Sequence, residues 1–479
     1  MNDYQLSSDL GMDSVFLVKH SELEGRLDPQ FYKPCFVKID KAIKAQTETR
    51  LGDLIVGMYG GATPKKSEAG KYYSDKENGI PLLRVQNITE EGINLDDAVY
   101  INYETHTGYL SRSQVLQDDV LVTITGRIAS SAVAPLGFTA NTNQHSVVIK
   151  TTNRNVSKYI ATFLNSNVGQ QLALKRTTGG TRPALDYDAL KSIPIPEELP
   201  IVVVMDTAYA AKKQKEAEAK SLLDSIDDYL FRELGIKFEG QKENTIHRRI
   251  FERQFSEVMG KRFDAPFYQQ KYNLETDKFP MDKLSNCVHI NPTTTFIGLS
   301  LDTLVTFIPM EKISDLYGEA DISNCRTLAE SEGYTRFQEN DLLWAKITPC
   351  MQNGKSAVVS GLKNGIGFGS TEYHVFRAKP EIDIRYIHSL LRLRSLRNHA
   401  VLYFSGSAGQ QRVSDKLFKT LSVPKPSLKK QTEIANHIDE IRNQARQLQK
   451  QAKAELEGAK KEVEMMILGK NTMTRGITA

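Results

Sequence analysis

The side chains in this sequence best suited to chemistry are paired donors and acceptors rather than acids, bases or nucleophiles. Lys65, Lys66, Arg84, Gln86, Asn87, Arg127, Asn143 and Gln144 in the first half, and Lys346, Gln352, Asn353, Lys355, Thr371 and Glu372 in the second, fall in polar, turn-rich segments. Such groups on loops match the edges of bases in a DNA groove. Two small-residue turns, Thr177 to Arg182 and Ser405 to Arg412, occupy corresponding places in the two halves and end in arginine. Backbone N–H, hydroxyl and guanidinium groups there suit phosphate, a plain turn being the alternative. Arg182, Gln410 and Arg412 therefore join the candidates.

Covalent chemistry has few carriers. Lys66-Ser67 closes a stretch like a phosphate loop, but position 65 is Lys where glycine is required, and Pro64 removes a backbone donor. Asn291-Pro292-Thr293-Thr294 is not the Asn-Pro-Pro-aromatic motif of adenine methyltransferases. No Gly-x-Gly-x-x-Gly follows a strand pattern, and no proline precedes aspartate as in a common nuclease carboxylate cluster. The nine histidines are scattered, and Cys35, Cys287, Cys325 and Cys350 form no Cys-x-x-Cys pair. The expectation is no catalytic residue, no metal and no cofactor bound by this chain.

The 479 residues suffice for two to four domains, and 40% hydrophobic with 25% charged residues is ordinary for a globular protein. No run approaches the ~20 apolar residues of a membrane span. The polar, acidic start from Met1 to Leu10 does not read as a secretory signal, so a reduced, cytoplasmic location is expected. A net charge of +4 neither requires nor excludes a nucleic-acid partner.

The elements that must position the candidates come in two copies. Gly25-Arg26-Leu27-Asp28-Pro29-Gln30-Phe31-Tyr32 returns as Lys261-Arg262-Phe263-Asp264-Ala265-Pro266-Phe267-Tyr268, an offset of 236 from Arg26 to Arg262. Leu190 to Pro196 is echoed by Phe418 to Pro424 at an offset of 228. One duplication with small insertions explains both, and a pseudo-symmetric chain suits a pseudo-symmetric target such as duplex DNA. Val120 to Ile124 and Ser146 to Ile149 read as strands. Tyr159 to Leu164 reads as the opening of a short helix with Gly169 near its middle or end, and Tyr386 to Leu391 is its counterpart. An acidic turn precedes a buried strand in both halves, at Leu116 to Leu121 and at Phe337 to Trp344.

The halves are separated and followed by helical patterns. Residues 200–235 lack internal Gly and Pro, and Ala208, Ala211, Lys215, Leu222, Ile226 and Leu230 recur at helical spacing before Gly235. In residues 429–479, Ile434, Ile438, Ile441, Ala445, Leu448 and Ala452 alternate steps of four and three, continued by Ala459, Val463 and Met466. That is a heptad seam. The second helix buries it by returning antiparallel along the first, a helix packed on a globular core being the alternative. A helix of ~35 residues spans ~50 Å, about one and a half turns of B-DNA. The expected fold is α+β: two pseudo-repeated globular α/β domains, residues 1–199 and 236–428, separated by two long helices forming an antiparallel coiled coil.

The sequence resembles the specificity subunit of type I restriction–modification systems. Gly60-Gly61-Ala62-Thr63-Pro64, then Ile80 to Ile88, then Asn143-Gln144-His145 are similar to its first target-recognition domain, and Gly369 to Val375 to its second. Ile193-Pro194-Ile195-Pro196 and Leu421-Ser422-Val423-Pro424 resemble the domain ends, and Pro426 to Ile434 the entry to the conserved helix. The first junction, Pro200 to Val204, departs by lacking the usual Gln. Residues 1–22 carry no such motif. The resemblance implies a non-catalytic DNA-reading subunit, each domain reading half of an asymmetric bipartite site in double-stranded DNA. The helices would set the spacer and dock two methyltransferase subunits that use S-adenosylmethionine, while restriction subunits would bring ATP and Mg. The alternatives are a coiled-coil scaffold that ignores DNA, a specificity subunit of a related system, and a self-sufficient methyltransferase or nuclease.

Overall fold

Strands 120–123 and 146–150 are apolar on both faces, and the reason is visible in what each face meets. The computed structural model describes residues 15–197, 199–236, 250, 252, 254–258, 272, 274–296, 298–406 and 410–470. Val120, Val122, Val147 and Ile149 share a core with Ile160, Phe163, Leu164 and Leu172 of two helices. Leu121 and Val148 point the other way, to Leu83, Val115 and Ala140 of a second sheet. A strand covered on both sides reads as a continuous apolar run although its side chains still alternate. Leu342, Trp344 and Phe376 meet the helix residues Ile387, Leu390 and Leu391, while Leu343 and Val375 meet Ile308 and Phe337.

The chain divides into two compact units, residues 1–215 with 450–479, and residues 216–449. Their sheet plans agree. In the first unit an antiparallel sheet has the order Gly57–Gly60, Ser146–Lys150, Val120–Thr123, Ser131–Val133. In the second the order is Val288–Ile290, Tyr373–Ala378, Leu342–Ala345, Ser356–Val358. By rank along the chain the two orders are the same. The other sheet of the first unit centres on Ile80–Leu83 parallel to Thr139–Thr142, flanked by Val99–Ile101 and Gln114–Leu116. Its counterpart centres on Leu304–Ile308 parallel to Ile366–Gly369, flanked by Cys325–Thr327 and Thr335–Gln338.

The duplication extends to single side chains. Asp118 and Asn340 adopt left-handed φ of +68° and +64° in the turns before the central strands. Asp119 accepts from the Leu116 N–H at 2.7 Å and Asp341 from the Gln338 N–H at 2.8 Å. Both are buried, and each pairs with a cation on the neighbouring strand, Lys150 and Arg377. The Tyr159 hydroxyl donates to Pro196 O at 2.7 Å, and the Tyr386 hydroxyl to Pro424 O at 2.8 Å, tying a helix to the Pro-rich exit in each unit.

Of the repeated octapeptides, the copy at Lys261–Tyr268 lies outside the described residues. In the first copy Arg26 pairs with Asp28 and donates to Arg176 O at 3.1 Å and Thr177 O at 2.9 Å, capping a helix end. Beneath it Asp40 is buried against Lys175 at 2.9 Å and Arg176 at 2.6 Å. The Lys175 ammonium lies 3.8 Å from the Phe31 ring centroid. The helix expected to open at Tyr159 begins at Arg154, capped by Asn153, and ends at Asn165. Gly169 belongs to a separate helix, Asn167–Lys175, because the Ser166 hydroxyl accepts from the Gly169 N–H at 3.0 Å and starts a new N-terminus.

The long helices span Ile201–Leu234 and Leu428–Ile467. In the first unit Lys212 and Lys460 reach Glu91 and Glu90 of one hairpin, and Lys215 meets Glu455 at 2.7 Å. In the second, Glu233 meets Lys430 at 2.9 Å, and Tyr229 lies 4.4 Å from His437. In each unit rising numbers on one helix meet falling numbers on the other, so the segments run antiparallel. The predicted seam is buried at Ala208, Leu230, Ile434, Ile438, Ile441 and Val463, and half-buried at Ala211, Leu222, Ile226 and Leu448. Leu456, absent from the predicted register, is buried in it as well.

Candidate nucleic-acid interface

In each unit the loops that follow the two parallel strands and the central antiparallel strand lie at one end of the sheets, joined by main-chain bonds. In the first unit the Asn143 N–H donates to Leu83 O at 3.1 Å, the Ile124 N–H to His145 O at 3.0 Å, and the Leu185 N–H to Ile124 O at 2.9 Å. The loop from Gly60 lies so close that a Cβ on Gly61 would stand 1.7 Å from Thr142 O. In the second unit the Lys346 N–H donates to Glu372 O at 2.9 Å, the Val413 N–H to Lys346 O at 2.8 Å, and the Thr348 N–H to Gln411 O at 3.0 Å. The chain at Ile124, His145 and Leu185 in the first unit and at Lys346, Glu372 and Val413 in the second is therefore fixed by the same main-chain bonds.

Their side chains differ. In the first unit the Thr63 hydroxyl donates to Gln144 Oε1 at 2.6 Å, Gln144 Nε2 lies 3.3 Å from His145 Nε2, and His145 Nδ1 lies 2.8 Å from Thr125 Oγ1. Three loops thus hold one exposed amide. In the second unit the equivalent loops carry an ion pair. Arg412 Nε and Nη2 face Glu372 at 2.7–3.0 Å, and Nη1 donates to Gln410 O at 2.9 Å. The Arg412 guanidinium, helped by Lys346, holds the Glu372 carboxyl below its usual range against the opposing effect of burial. Behind it, burial lowers His374, whose neutral ring donates Nε2–H to Val413 O at 2.9 Å and accepts from Asn291 Nδ2 at 3.1 Å.

The remaining candidates divide by what they are bonded to. Lys65, Lys66, Gln86, Arg182, Gln352, Asn353, Thr371 and Gln410 have exposed side chains. Asn87 is buried, accepting from the Arg84 N–H at 2.9 Å and donating to Asn94 O at 2.9 Å. Asn143 is buried and accepts from the His145 N–H at 3.0 Å. Arg127 donates to Val85 O and Ile88 O at 2.8 and 2.9 Å, Arg84 to Asp97 O at 2.6 Å, and Lys355 to Met310 O and Ile313 O at 3.1 and 3.0 Å. These five shape the loops from within. Sequence reasoning left out Thr63, Thr125, His145 and Lys346's neighbour His374 as parts of the cluster. The Asn-Gln-His string was a signal for His145, whereas the two threonines come from distant loops.

Among the described residues no His, Cys, Asp and Glu group has the makings of a metal site, and no helix is long and apolar enough to cross a membrane. The sequence profile of the type I restriction modification DNA specificity domain matches residues 46–201 and again residues 282–458. This chain belongs to that family. Both matched ranges cover the repeated sheets; the first stops where the helix Ile201–Leu234 begins, and the second takes in most of the helix Leu428–Ile467.

Two curated relatives are similar over part of their length. The EcoAI type I restriction enzyme specificity subunit of Escherichia coli is 34% identical over 196 residues, 40% of this chain and 32% of that protein. The EcoEI specificity subunit of the same organism is 32% identical over 165 residues, 34% of this chain and 28% of that protein. The matched stretch thus spans about a third of these relatives. A solved structure concerned with complex assembly and conformational transition of the type I R-M system is 14% identical, with a TM-score of 0.46, covering 88% of this chain and 96% of its own. The HsdS subunit from Thermoanaerobacter tengcongensis gives 13% and a TM-score of 0.38 over 88% and 96%.

Proposed function

We propose that this chain is the DNA-reading subunit of a type I restriction–modification complex, recognising a bipartite, asymmetric site in double-stranded DNA. The observation that carries this reading is a repeated loop scaffold bearing two different sets of polar groups: one plan, two half-sites. Residues 1–199 and 236–428 act as the target-recognition domains, and 200–235 with 429–479 as spacer helices. The candidate loop residues supply base and phosphate contacts, led by the exposed ones. The helices set the unread gap and dock two methyltransferase subunits, through which restriction subunits join. This chain performs no catalytic step. S-adenosylmethionine, ATP and Mg act in the partner subunits, in the cytoplasm.

The test is a base-resolution methylation map of host DNA with and without this gene, the partner genes intact. The expected result is loss of N6-methyladenine at one bipartite motif with a fixed gap. An unchanged map beside an active partner methyltransferase would overturn the reading. Four residues inserted after Lys215 should change or abolish the gap and leave both half-sites as they were, whereas an unchanged gap would remove the helices' role as spacer.

A further inference from the structure

At the second unit's loop end, Arg412 is held on several sides while still open to solvent. Its main chain pairs with Ile347 on one side and with Ser405 on the other. Glu372 is fixed in turn, its O accepting from the Lys346 N–H at 2.9 Å and its N–H lying 3.2 Å from Ser370 Oγ. A guanidinium has five N–H donors. In Arg412, Nε–H and one Nη2–H face the Glu372 carboxylate, and one Nη1–H faces Gln410 O at 2.9 Å. One donor remains on each Nη. Both belong to the outer edge of a side chain that stays 41% exposed.

Resting on the DNA-reading function proposed above, we infer that Arg412 reads a guanine in the second half-site, with Glu372 as its positioning residue. A guanidinium that offers one donor from each Nη is matched by the O6 and N7 acceptors of guanine in the major groove. Adenine sets an N6 donor against one of these donors, and the pyrimidines offer no such acceptor pair. A phosphate would also accept two donors, but the Glu372 carboxylate beside the guanidinium repels an anion and offsets the charge a phosphate clamp uses. A base edge is neutral, so it gains from the fixed orientation without meeting that repulsion. Ala184, which pairs with Thr125 as Arg412 pairs with Ile347, has no side-chain donor at the corresponding place in the first unit, so this guanine belongs to one half-site only.

The experiment uses the full chain assembled with its partner methyltransferase, comparing methylation maps and duplex competition for wild type, Arg412→Lys, Arg412→Ala and Glu372→Gln. Wild type should require G at one position of one half-site. Arg412→Lys and Arg412→Ala should lose that preference by about 10- to 100-fold at that position alone, the other half-site being unchanged. Glu372→Gln should lose a smaller part of it. Should Arg412→Ala fail to fold, Arg412→Lys decides, since a lysine keeps the charge opposite Glu372. An unchanged motif in Arg412→Lys overturns the inference. So does uniform weakening on all sequences with a shallower salt dependence, the sign of a phosphate contact. The larger reading fails separately, if deleting the gene leaves methylation intact.

Discussion

At the loop end of the first unit one exposed polar group is an amide, Gln144, held by a threonine hydroxyl and a histidine ring. At the equivalent end of the second it is a guanidinium, Arg412, held by a carboxylate. The main-chain bonds beneath are alike: Ile124 with His145 in one unit, Lys346 with Glu372 in the other. The units also fasten their parts differently. The first unit buries an ion cluster around Asp40. The second uses an amide, Gln431, which accepts from the Asp383 N–H at 3.0 Å and donates to Glu381 O at 3.2 Å and Pro426 O at 2.9 Å. The first unit's helix entry has no such amide. Ile201 and Met205 are buried there, and Val203 is 67% exposed. A duplicated scaffold has thus kept its main-chain geometry while its side-chain fastenings and its displayed groups diverged.

The largest expected effect breaks this comparison at the first unit's fastening. Asp40→Asn leaves Lys175 and Arg176 buried without their counter-charge, a loss of about 3–5 kcal/mol. Hydrogen exchange should show helices Pro34–Lys44 and Asn167–Lys175 loosened, with Ile384–Arg392 of the second unit unaffected. Equal loosening in both would contradict independent fastening. The pH dependence has the same origin. Burial alone would raise the Asp40 carboxyl, but Arg176, with Lys44 and Lys175, brings it from 3.8 down to about 2. A depressed carboxyl stabilises the folded state above its unfolded pKa, so this contribution is complete above pH 3.8 and is lost as pH falls through about 2.

A smaller effect is expected at the second unit's fastening. Gln431→Ala leaves the Asp383 N–H and the Glu381 and Pro426 carbonyls without their partner, a loss of about 2–3 kcal/mol in denaturant unfolding. Val203→Ala at the first junction should change stability by no more than about 0.5 kcal/mol. A comparable loss at both sites would mean that the missing Gln in the first half had a replacement of equal strength.

The strands and long helices were legible because their signals are local. Runs of β-branched residues, a heptad register and a missing Gly or Pro all act within a few positions. Among the described residues, Ala219 and Leu456 are buried on the long helices but absent from the register; after Ala452 the alternation of three and four falls on the exposed Glu455, one position short of Leu456. The division of Tyr159's helix from Gly169's rests on one Ser166 hydroxyl bond, which a continuous helical pattern hides. The candidate site was legible as a set of loops and as the exposed residues Gln144 and Arg412. It was not legible which polar residues are already engaged, because their partners are remote in sequence. Arg127 bonds carbonyls about forty positions away, and Thr63 reaches Gln144 across 81.

The smallest expected effects sharpen the comparison at the displayed groups themselves. If Gln144 reads a base in the first half-site, Gln144→Ala should weaken discrimination at one position there by about 1–3 kcal/mol. Thr63→Val, which removes the hydroxyl holding the amide oxygen, should cost about 1 kcal/mol or less at that same position. Thr63→Ser should restore it, since serine keeps the hydroxyl. Methylation frequencies at single-base variants of the first half-site give the measurement, with the second half-site as internal control. A fall in Thr63→Val spread over both half-sites would mark Thr63 as a general support of the fold. A fall confined to the position that Gln144→Ala affects would mean that an amide kept in one orientation, rather than an amide merely present, sets the preference. That would make the first unit's hydroxyl the neutral counterpart of Glu372 in the second.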